Sequence, residues 1–336
     1  MQHIETEAQL IAQMTNPSDA VREAVAKLDG DIMVLGIAGK MGPTLGELLV
    51  RAGAKKVIGV SRFSNPSDQE DLKARGIDTL KCDLLDEASL KALPEAPYIY
   101  LMAGHKFGAT GNERLTWAMN AMVPGRIMQR FPRSRIVYVS SGNVYQYTPV
   151  RSSGASEVDP VVPIGEYAMS RLGGERLTEF YSDRNKTPLA IVRLFYATEL
   201  RYGILIDIAQ KIHSRTPIDL AMGYVNQIWQ GDANAYLAQM FPHCSAPAHV
   251  INMTGPDVLS VRALATELGS NMGIPPLFEG SESDTALLGD ASKLFGLLGT
   301  PQISVKTMLE WVATWVKQGG PTLGKPTKYE SRTGKF

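Results

Sequence analysis

The sequence predicts an α/β fold in which a doubly wound parallel sheet is followed by a smaller, helix-rich C-terminal lobe. Between about residues 31 and 195, short apolar runs alternate with helical stretches, a pattern typical of parallel strands covered by helices on both faces. A glycine-rich turn follows the first apolar run directly, at the edge where such sheets bind ligands. After about residue 196 the strands become shorter and helical segments dominate, which indicates a second lobe.

The individual elements follow from length and periodicity. Five short apolar runs predict buried strands: "DIMVLG", "KKVIGV", "YIYLMA", "RIVYVS" and "LAIVRLF". Helices are predicted between them, over 44–52, 67–75, 113–131 and 166–182. Residues 5–29 predict two short helices split at "NPSD", because Val21, Val25 and Leu28 share one face of the second. The Gly-, Pro- and Lys-rich tail predicts a mobile terminus, with a clasp over a cleft as the alternative.

Composition favours a small-molecule partner. The 336 residues include 34 basic and 34 acidic side chains, so net charge gives no reason to expect binding to nucleic acid or to an anionic membrane. The N-terminus has neither the basic start nor the apolar stretch of a signal peptide, and two cysteines are too few for a disulfide framework. These features predict a cytoplasmic protein. Histidine and cysteine spacing predicts no metal site, and "SSGNVY" is not the elbow motif of serine hydrolases.

The stretch "VLGIAGKMGPTLGELL" predicts a dinucleotide site. Gly36, Gly39 and Gly42 lie between the first strand and a helix, with Pro43 at the helix start. Glycines allow the backbone to turn tightly and approach a pyrophosphate, whose charge is then favourable at a helix N-terminus. A glycine triplet by itself is also compatible with an ordinary turn between a strand and a helix. The placement of this triplet after the first strand and at a helix start argues against that alternative.

The residues after the second strand favour NADP over NAD. An acidic residue there would accept a hydrogen bond from the 2′-hydroxyl of NAD, but this chain has Ser61 and Arg62. A hydroxyl and a guanidinium suit a 2′-phosphate, and Lys40 in the glycine turn would add a second positive charge. Alternatively, Arg62 is a solvated surface charge, which leaves NAD as the cofactor.

Four further motifs follow the glycine turn along the chain, in the order "CDLLD", "YLMAG", "VSSGNVY" and "EYAMSR". From about Asp31 to Trp315 the chain resembles the extended short-chain dehydrogenase/reductase family, which includes the NAD(P)-dependent sugar epimerases and dehydratases. The resemblance implies a Rossmann-type domain. Together with the glycine turn and the ribose position, it predicts these cofactor-binding residues: Gly36, Gly39, Lys40, Met41, Gly42, Ser61, Arg62, Asp83, Leu84, Met102, Ala103, Gly104, Tyr167, Arg171 and Tyr196.

The resemblance also implies the chemistry. Ser141 corresponds to the hydroxyl that holds the substrate oxygen, and Tyr167 to the acid/base. A phenol next to that oxygen can move its proton if a cation lowers the pKa of the phenol from about 10. The family has lysine four residues after the tyrosine, whereas this chain has Arg171, which keeps the charge but cannot pass protons. We hypothesise that Lys106 takes over part of the missing lysine's role, with a solvated loop lysine as the alternative.

Substrate contacts are predicted for Ser141, Asn143, Tyr167 and Trp229, although a lone tryptophan is more often part of the core. Asn120 matches a position where the family often has asparagine supporting the site, and a helix-surface amide is the alternative. The predicted function is hydride transfer, either net oxidation or reduction or epimerisation. A free sugar, sugar acid or lactone is favoured over a nucleotide sugar, because the chain lacks the Arg-Asp-Phe and Gly-Pro motifs of the nucleotide-sugar branch. The alternative is an inactive dinucleotide-binding sensor or partner subunit.

The predicted organisation has four parts, and the resemblance implies a homodimer. The parts are an N-terminal helical extension (1–29), a dinucleotide-binding domain (30–196, with a returning segment around 225–245), a substrate lobe (197–224 and 246–318) and a C-terminal tail (319–336).

Overall fold

A seven-stranded parallel sheet forms the centre of the protein in the computed structural model, which describes residues 4–106 and 108–335. Its strands in chain order are β1 (Ile32–Leu35), β2 (Val57–Ser61), β3 (Asp78–Lys81), β4 (Tyr98–Leu101), β5 (Arg135–Ser141), β6 (Leu189–Leu194) and β7 (His249–Met253). Across the sheet they lie in the order β7-β6-β5-β4-β1-β2-β3, and all pairs are parallel. The predicted doubly wound α/β fold is confirmed.

Helices cover both faces of the sheet. In chain order, the helices of the described residues, including those of the C-terminal lobe, are α1 (Glu7–Met14), α2 (Asp19–Ala26), α3 (Gly42–Arg51), α4 (Pro66–Ala74), α5 (Glu87–Lys91), α6 (Glu113–Trp117), α7 (Val123–Arg130), α8 (Gly165–Asn185), α9 (Ile204–His213), α10 (Gln230–Ala238), α11 (Val261–Met272), α12 (Ser292–Leu298) and α13 (Val305–Lys317). Successive side chains of β1 point to opposite faces, so Ile32 packs in one core with Leu45 of α3, while Met33 packs in another with Ile127 of α7.

A third core lies in the C-terminal lobe, where α9, α11 and α13 pack against one another around Ile208, Leu268 and Trp315. Four pairs of short strands border it: Tyr224–Val225 with Leu259–Ser260, Gln227–Trp229 with Tyr196–Thr198, Phe278–Glu279 with Ile218–Asp219, and Thr285–Ala286 with Thr148–Pro149. Short 3-10 turns occur at Gly142–Val144 and Phe241–His243. None of the helices in the described part of the chain is long and apolar enough to span a bilayer.

Three elements differ from the sequence-based expectation. Strand β7 pairs with β6 at the edge of the main sheet, although it lies within the segment 246–318 expected in the substrate lobe. Its apolar run is interrupted by Asn252, which is buried in a hydrogen-bond network. The helix expected over 113–131 contains a π-helical turn at Ala118–Met122. The tail is docked, with Thr327 and Tyr329 each 1% exposed.

Exposed apolar side chains are concentrated on α6, the π-helical turn and α8: Trp117, Met122, Met169, Leu177 and Phe180. The homodimer expected from the sequence stays a prediction.

Candidate active site

A cavity of about 540 Å³ opens at the carboxyl ends of the central strands. The predicted site residues that line it are Gly36, Gly39, Lys40, Met41, Gly42, Ser61, Arg62, Asp83, Leu84, Met102, Ala103, Gly104, Lys106, Ser141, Asn143, Tyr167, Arg171 and Tyr196. Parallel strands bring these residues together, because their carboxyl ends meet at one edge of the sheet.

The glycine turn forms a cradle that side chains would fill. Gly36 has φ +91°, and a Cβ built on it would lie 2.6 Å from the backbone nitrogen of Ala103. A Cβ on Gly42, the first residue of α3, would lie 2.2 Å from the carbonyl oxygen of Ile37. The turn is closed by a hydrogen bond from the Gly39 amide to the Gly36 carbonyl, 3.0 Å long. This tight, side-chain-free backbone at a helix N-terminus fits a dinucleotide pyrophosphate.

Ser141 is oriented by the turn that follows β5. Its Oγ donates to Oδ1 of Asn143 over 3.0 Å and accepts from the Asn143 amide over 3.2 Å. The serine caps the 3-10 turn Gly142–Val144 and is 6% exposed. Its hydroxyl is therefore held in a fixed direction at the cavity wall.

Tyr167 and Arg171 lie one turn apart in α8, but the guanidinium of Arg171 is held by the sheet. It donates to the carbonyl of Val139 and lies 4.9 Å from the ring centroid of Tyr138. Its Nε is buried without a hydrogen-bond partner among the described residues. Gly104 makes room for it, since a Cβ there would lie 2.8 Å from Nη1. Arg171 thus supplies a fixed positive charge between the ends of β4 and β5.

The loop carrying Lys106 is fixed by Asn120 in the π-helical turn. The Asn120 amide accepts from the His105 backbone nitrogen over 2.7 Å and donates to the His105 carbonyl and the Ser170 hydroxyl, each over 3.0 Å. This buried amide is therefore not a surface group. Lys106 Nζ lies 5.9 Å from the ring centroids of both Tyr167 and Tyr196. Burial lowers the pKa of Lys106 to about 8.

The expectation that Lys40 accompanies Arg62 at the 2′-position is wrong. Lys40 Nζ donates to the carbonyl of Ala197 and lies 3.9 Å from the ring centroid of Tyr202. Ala197 follows β6, whereas Arg62 follows β2, with three strands between them in the sheet. The side chain therefore extends towards the opposite end of the cavity, and burial lowers its pKa to about 7.

Lys40→Met is expected to change the pH dependence of stability. A lysine in the unfolded chain titrates near a pKa of 10.5, well above the folded value of about 7. Between these values the unfolded state binds more protons, so the contribution of Lys40 to the free energy of unfolding rises with pH. We expect chemical denaturation to show wild type gaining stability relative to Lys40→Met from about pH 7 to about pH 9. Parallel profiles for the two proteins would contradict the assignment.

Trp229 is not at the cavity, which corrects its expected role in substrate binding. It is 1% exposed, and its ring packs against Trp311 with centroids 5.3 Å apart, because the strand Gln227–Trp229 directs this side chain into the lobe core. The lining residues that the sequence analysis does not anticipate include Asp68, Tyr202 and Lys325. Asp68 lies in the first turn of α4, after β2. Because an acidic residue in this region can contact a cofactor ribose, the sequence could have indicated it as a site residue. The other two depend on packing that brings distant segments to the cavity.

One cavity at the edge of the parallel sheet contains both the glycine cradle and the hydroxyls of Ser141 and Tyr167. This arrangement defines a dinucleotide-binding α/β enzyme. The model of the NAD dependent epimerase/dehydratase family matches residues 32–213, more than half of the chain. The chain therefore belongs to this family of enzymes, as the resemblance to extended short-chain dehydrogenases/reductases predicted.

Solved structures share the fold at low identity. A UDP-glucuronic acid 4-epimerase from Bacillus cereus in complex with NAD is 20% identical, with a TM-score of 0.71 over 86% of this chain and 99% of that one. A dTDP-glucose 4,6-dehydratase from Bacillus anthracis in complex with NAD is 14% identical, with a TM-score of 0.73 over 86% of this chain and 96% of that one. No curated protein sequence matches the chain.

Proposed function

We propose that the protein transfers a hydride between a pyridine dinucleotide and a hydroxyl or carbonyl carbon of a sugar-like substrate. The proposal is carried by one observation, the presence of the Ser141 and Tyr167 hydroxyls in the same cavity as the glycine cradle. When bound, the dinucleotide supplies or accepts the hydride. Ser141 holds the substrate oxygen, and the phenol of Tyr167 takes or returns the proton of that oxygen.

The function is tested by mixing the protein with NADP or NAD, oxidised or reduced, and a panel of sugars, sugar acids and lactones. We expect the absorbance of the reduced cofactor to change with at least one compound. An epimerase leaves no net absorbance change, so products are also separated by chromatography. If titration of the cofactors detects no binding, the proposed function is wrong.

A free sugar, sugar acid or lactone is favoured over a nucleotide sugar. The segment "AMGYVNQIWQGD" lacks the Arg-Asp-Phe stretch, and "YATELRYG" lacks the Gly-Pro, that the nucleotide-sugar branch usually carries. The epimerase and the dehydratase with similar folds are named for nucleotide sugars, so UDP- and dTDP-sugars belong in the panel as the competing class.

NADP is favoured as the cofactor because of Arg62, which lines the cavity beside Ser61. A guanidinium can bind a 2′-phosphate through two charge-assisted hydrogen bonds. We expect Arg62→Gln to lower the ratio of NADP to NAD affinity by about tenfold or more, measured by fluorescence titration, while exposed Arg133→Gln leaves it unchanged. If Arg62→Gln left the ratio unchanged, NAD would be the favoured cofactor, with the Asp68 carboxylate as a ribose acceptor.

Lys106 supplies the cation that activates Tyr167. Its ammonium is 5.9 Å from the tyrosine ring centroid, and Arg171 is bonded to the Val139 carbonyl. We expect Lys106→Met to lower turnover by about tenfold or more and to change its pH profile, since the variant loses the positive charge near the phenol that moves the proton. Lys317→Met, on an exposed helix end, is the control. An unchanged pH profile would exclude this role.

A catalytically inactive sensor is the second candidate, favoured by the anchoring of Arg171 to the sheet instead of to the phenol. Cofactor binding without turnover or epimerisation across the whole panel would support this alternative.

A further inference from the structure

The C-terminal segment, residues 321–335, is anchored in its middle to the C-terminal lobe. The Thr327 amide and hydroxyl both donate to Oδ2 of Asp207 in α9, over 2.8 and 2.5 Å. Tyr329 is 1% exposed and packs in the core of that lobe. The segment is therefore a fixed part of the fold, and its position is set by buried contacts.

A second anchor lies close to the end of the segment. Arg332 donates to the carbonyl and to the hydroxyl of Thr285, over 2.7 and 2.8 Å. Its guanidinium also lies 4.4 Å from the ring centroid of Tyr147, in the loop that follows β5. These contacts direct the residues after Arg332 away from the lobe and towards the sheet domain.

There the segment packs against the start of α8, backbone against backbone. A Cβ on Gly334, which has φ +69°, would lie well under 3.0 Å from the carbonyl oxygen of Ile164. A Cβ on Gly165, which has φ +83°, would lie 2.6 Å from the carbonyl oxygen of Gly334. Ile164 and Gly165 are the N-cap and the first residue of α8. Only glycine allows this approach on both sides.

The first turn of α8 contains Tyr167 and depends on such packing. Its N-cap, Ile164, makes no side-chain hydrogen bond to the helix, whereas a serine, threonine or asparagine at this position would hold the first amides. Glu166 accepts from Trp117 Nε1 over 2.6 Å, but its side chain is exposed. The Gly334 backbone therefore supplies a contact that a side-chain cap supplies in other helices.

The segment is also a wall of the cavity, because Lys325 lines it together with Tyr167. The glycine cradle belongs to the turn after β1, and neither of the two contacts with α8 involves it. A displacement of the start of α8 would thus move the phenol and leave the cradle in place. Proton transfer needs the phenol within hydrogen-bond reach of the substrate oxygen, and a misplacement of about 1 Å can cost about 100-fold in rate.

We propose that the C-terminal segment is a positioning element of the active site. The contact between Gly334 and Gly165 holds the first turn of α8, so that the Tyr167 hydroxyl stays beside the substrate oxygen. The inference rests on the proposed function and deepens it: proton transfer depends on the docked segment, whereas cofactor binding does not.

The test compares Gly334→Ala with Gly324→Ala in the full-length protein. Gly324 lies in the same segment and has φ +62°, but a Cβ there would meet nothing within 4 Å. Both variants therefore carry similar backbone strain, and only Gly334→Ala clashes with α8. We expect Gly334→Ala to lower kcat by about tenfold or more, with KM for the substrate and cofactor affinity within about twofold of wild type. Gly324→Ala is expected to keep the wild-type kcat.

Deletion of residues 334–336 removes the contact without introducing a clash and is expected to lower kcat in the same way. Hydrogen exchange followed by mass spectrometry gives a readout that needs no turnover. We expect the backbone amides of residues 165–171 to exchange about threefold faster or more in Gly334→Ala and in the deletion variant, and at the wild-type rate in Gly324→Ala.

Unchanged exchange at the start of α8 in both altered proteins would overturn the proposal. A wild-type kcat in a variant whose exchange is faster would overturn it as well, because Tyr167 would then be positioned without the segment. Exchange is measured on cofactor-free protein, and cofactor affinity is measured separately. Failure of wild type to bind either dinucleotide therefore overturns the proposed function, and this result is distinguishable from failure of the positioning role.

Discussion

Replacement of Tyr167 by phenylalanine is expected to lower turnover by about 1,000-fold while leaving cofactor affinity within about twofold of wild type. The change removes only the phenolic hydroxyl that moves the proton. The ring, 9% exposed and packed against Ala109, stays in place. Turnover is measured with the substrate identified in the panel, and cofactor affinity by fluorescence titration.

Tyr181→Phe provides the matched control, because Tyr181 lies on the same helix with its ring 5.1 Å from that of Phe180. Turnover of the control is expected to equal that of wild type. If Tyr167→Phe retained turnover within about tenfold of wild type, another group would have to move the proton.

The sheet domain could be predicted because its determinants are local. Each strand from β1 to β6 other than β3 is a short apolar run, and the glycine turn depends on three residues within seven positions. Ser141 and Tyr167 were predicted to share a site through their motifs, since both elements end or begin at the same edge of a parallel sheet. Local sequence patterns are therefore sufficient to predict the fold and the approximate position of the site.

The direction of long side chains could not be predicted in the same way. Lys40 donates to a carbonyl 157 residues further along the chain, and its preference for that oxygen over the 2′-position depends on how the C-terminal lobe packs. Lys325 lines the cavity in a segment that the buried residues Thr327 and Tyr329 anchor. A Gly- and Lys-rich composition does not reveal such anchors.

Arg171 has a position that the sequence predicts and a side-chain direction that it does not. Its spacing from Tyr167 places the two residues on one face of α8, but the guanidinium donates to the Val139 carbonyl and lies against the Tyr138 ring. A lysine donates in fewer directions and lacks the planar group that stacks on an aromatic ring. Arg171 therefore fastens α8 to the sheet.

A buried network fastens α8 to the sheet at a second point. Glu175 of α8 accepts from the Ser140 hydroxyl over 2.6 Å and from Arg193 Nη2 of β6 over 2.8 Å. Arg193 Nη1 donates to the Tyr145 hydroxyl over 2.6 Å, which in turn donates to Asn252 of β7 over 2.9 Å. Ser140 precedes Ser141, so the network holds the end of β5 in register with the helix that carries Tyr167.

Removing one partner of this network is expected to have the largest effect on folding. Glu175 and Arg193 have side chains that are 0% and 4% exposed, so Glu175→Leu leaves a buried guanidinium without its counter-charge. We expect the free energy of unfolding to fall by about 3 to 5 kcal/mol, measured by chemical denaturation.

The double variant Glu175→Leu/Arg193→Met tests whether this loss comes from the unpaired charge. Replacing both partners by apolar groups removes the charge as well as the bond, so the double variant is expected to be more stable than Glu175→Leu alone. Tyr145 and Ser140 would each lose one hydrogen-bond partner in the double variant, which keeps it less stable than wild type. The single variant Arg193→Met completes the comparison. If the loss in the double variant equalled the sum of the losses in the two single variants, the ion pair would contribute no coupling free energy, and α8 would be held to the sheet by apolar packing and by Arg171.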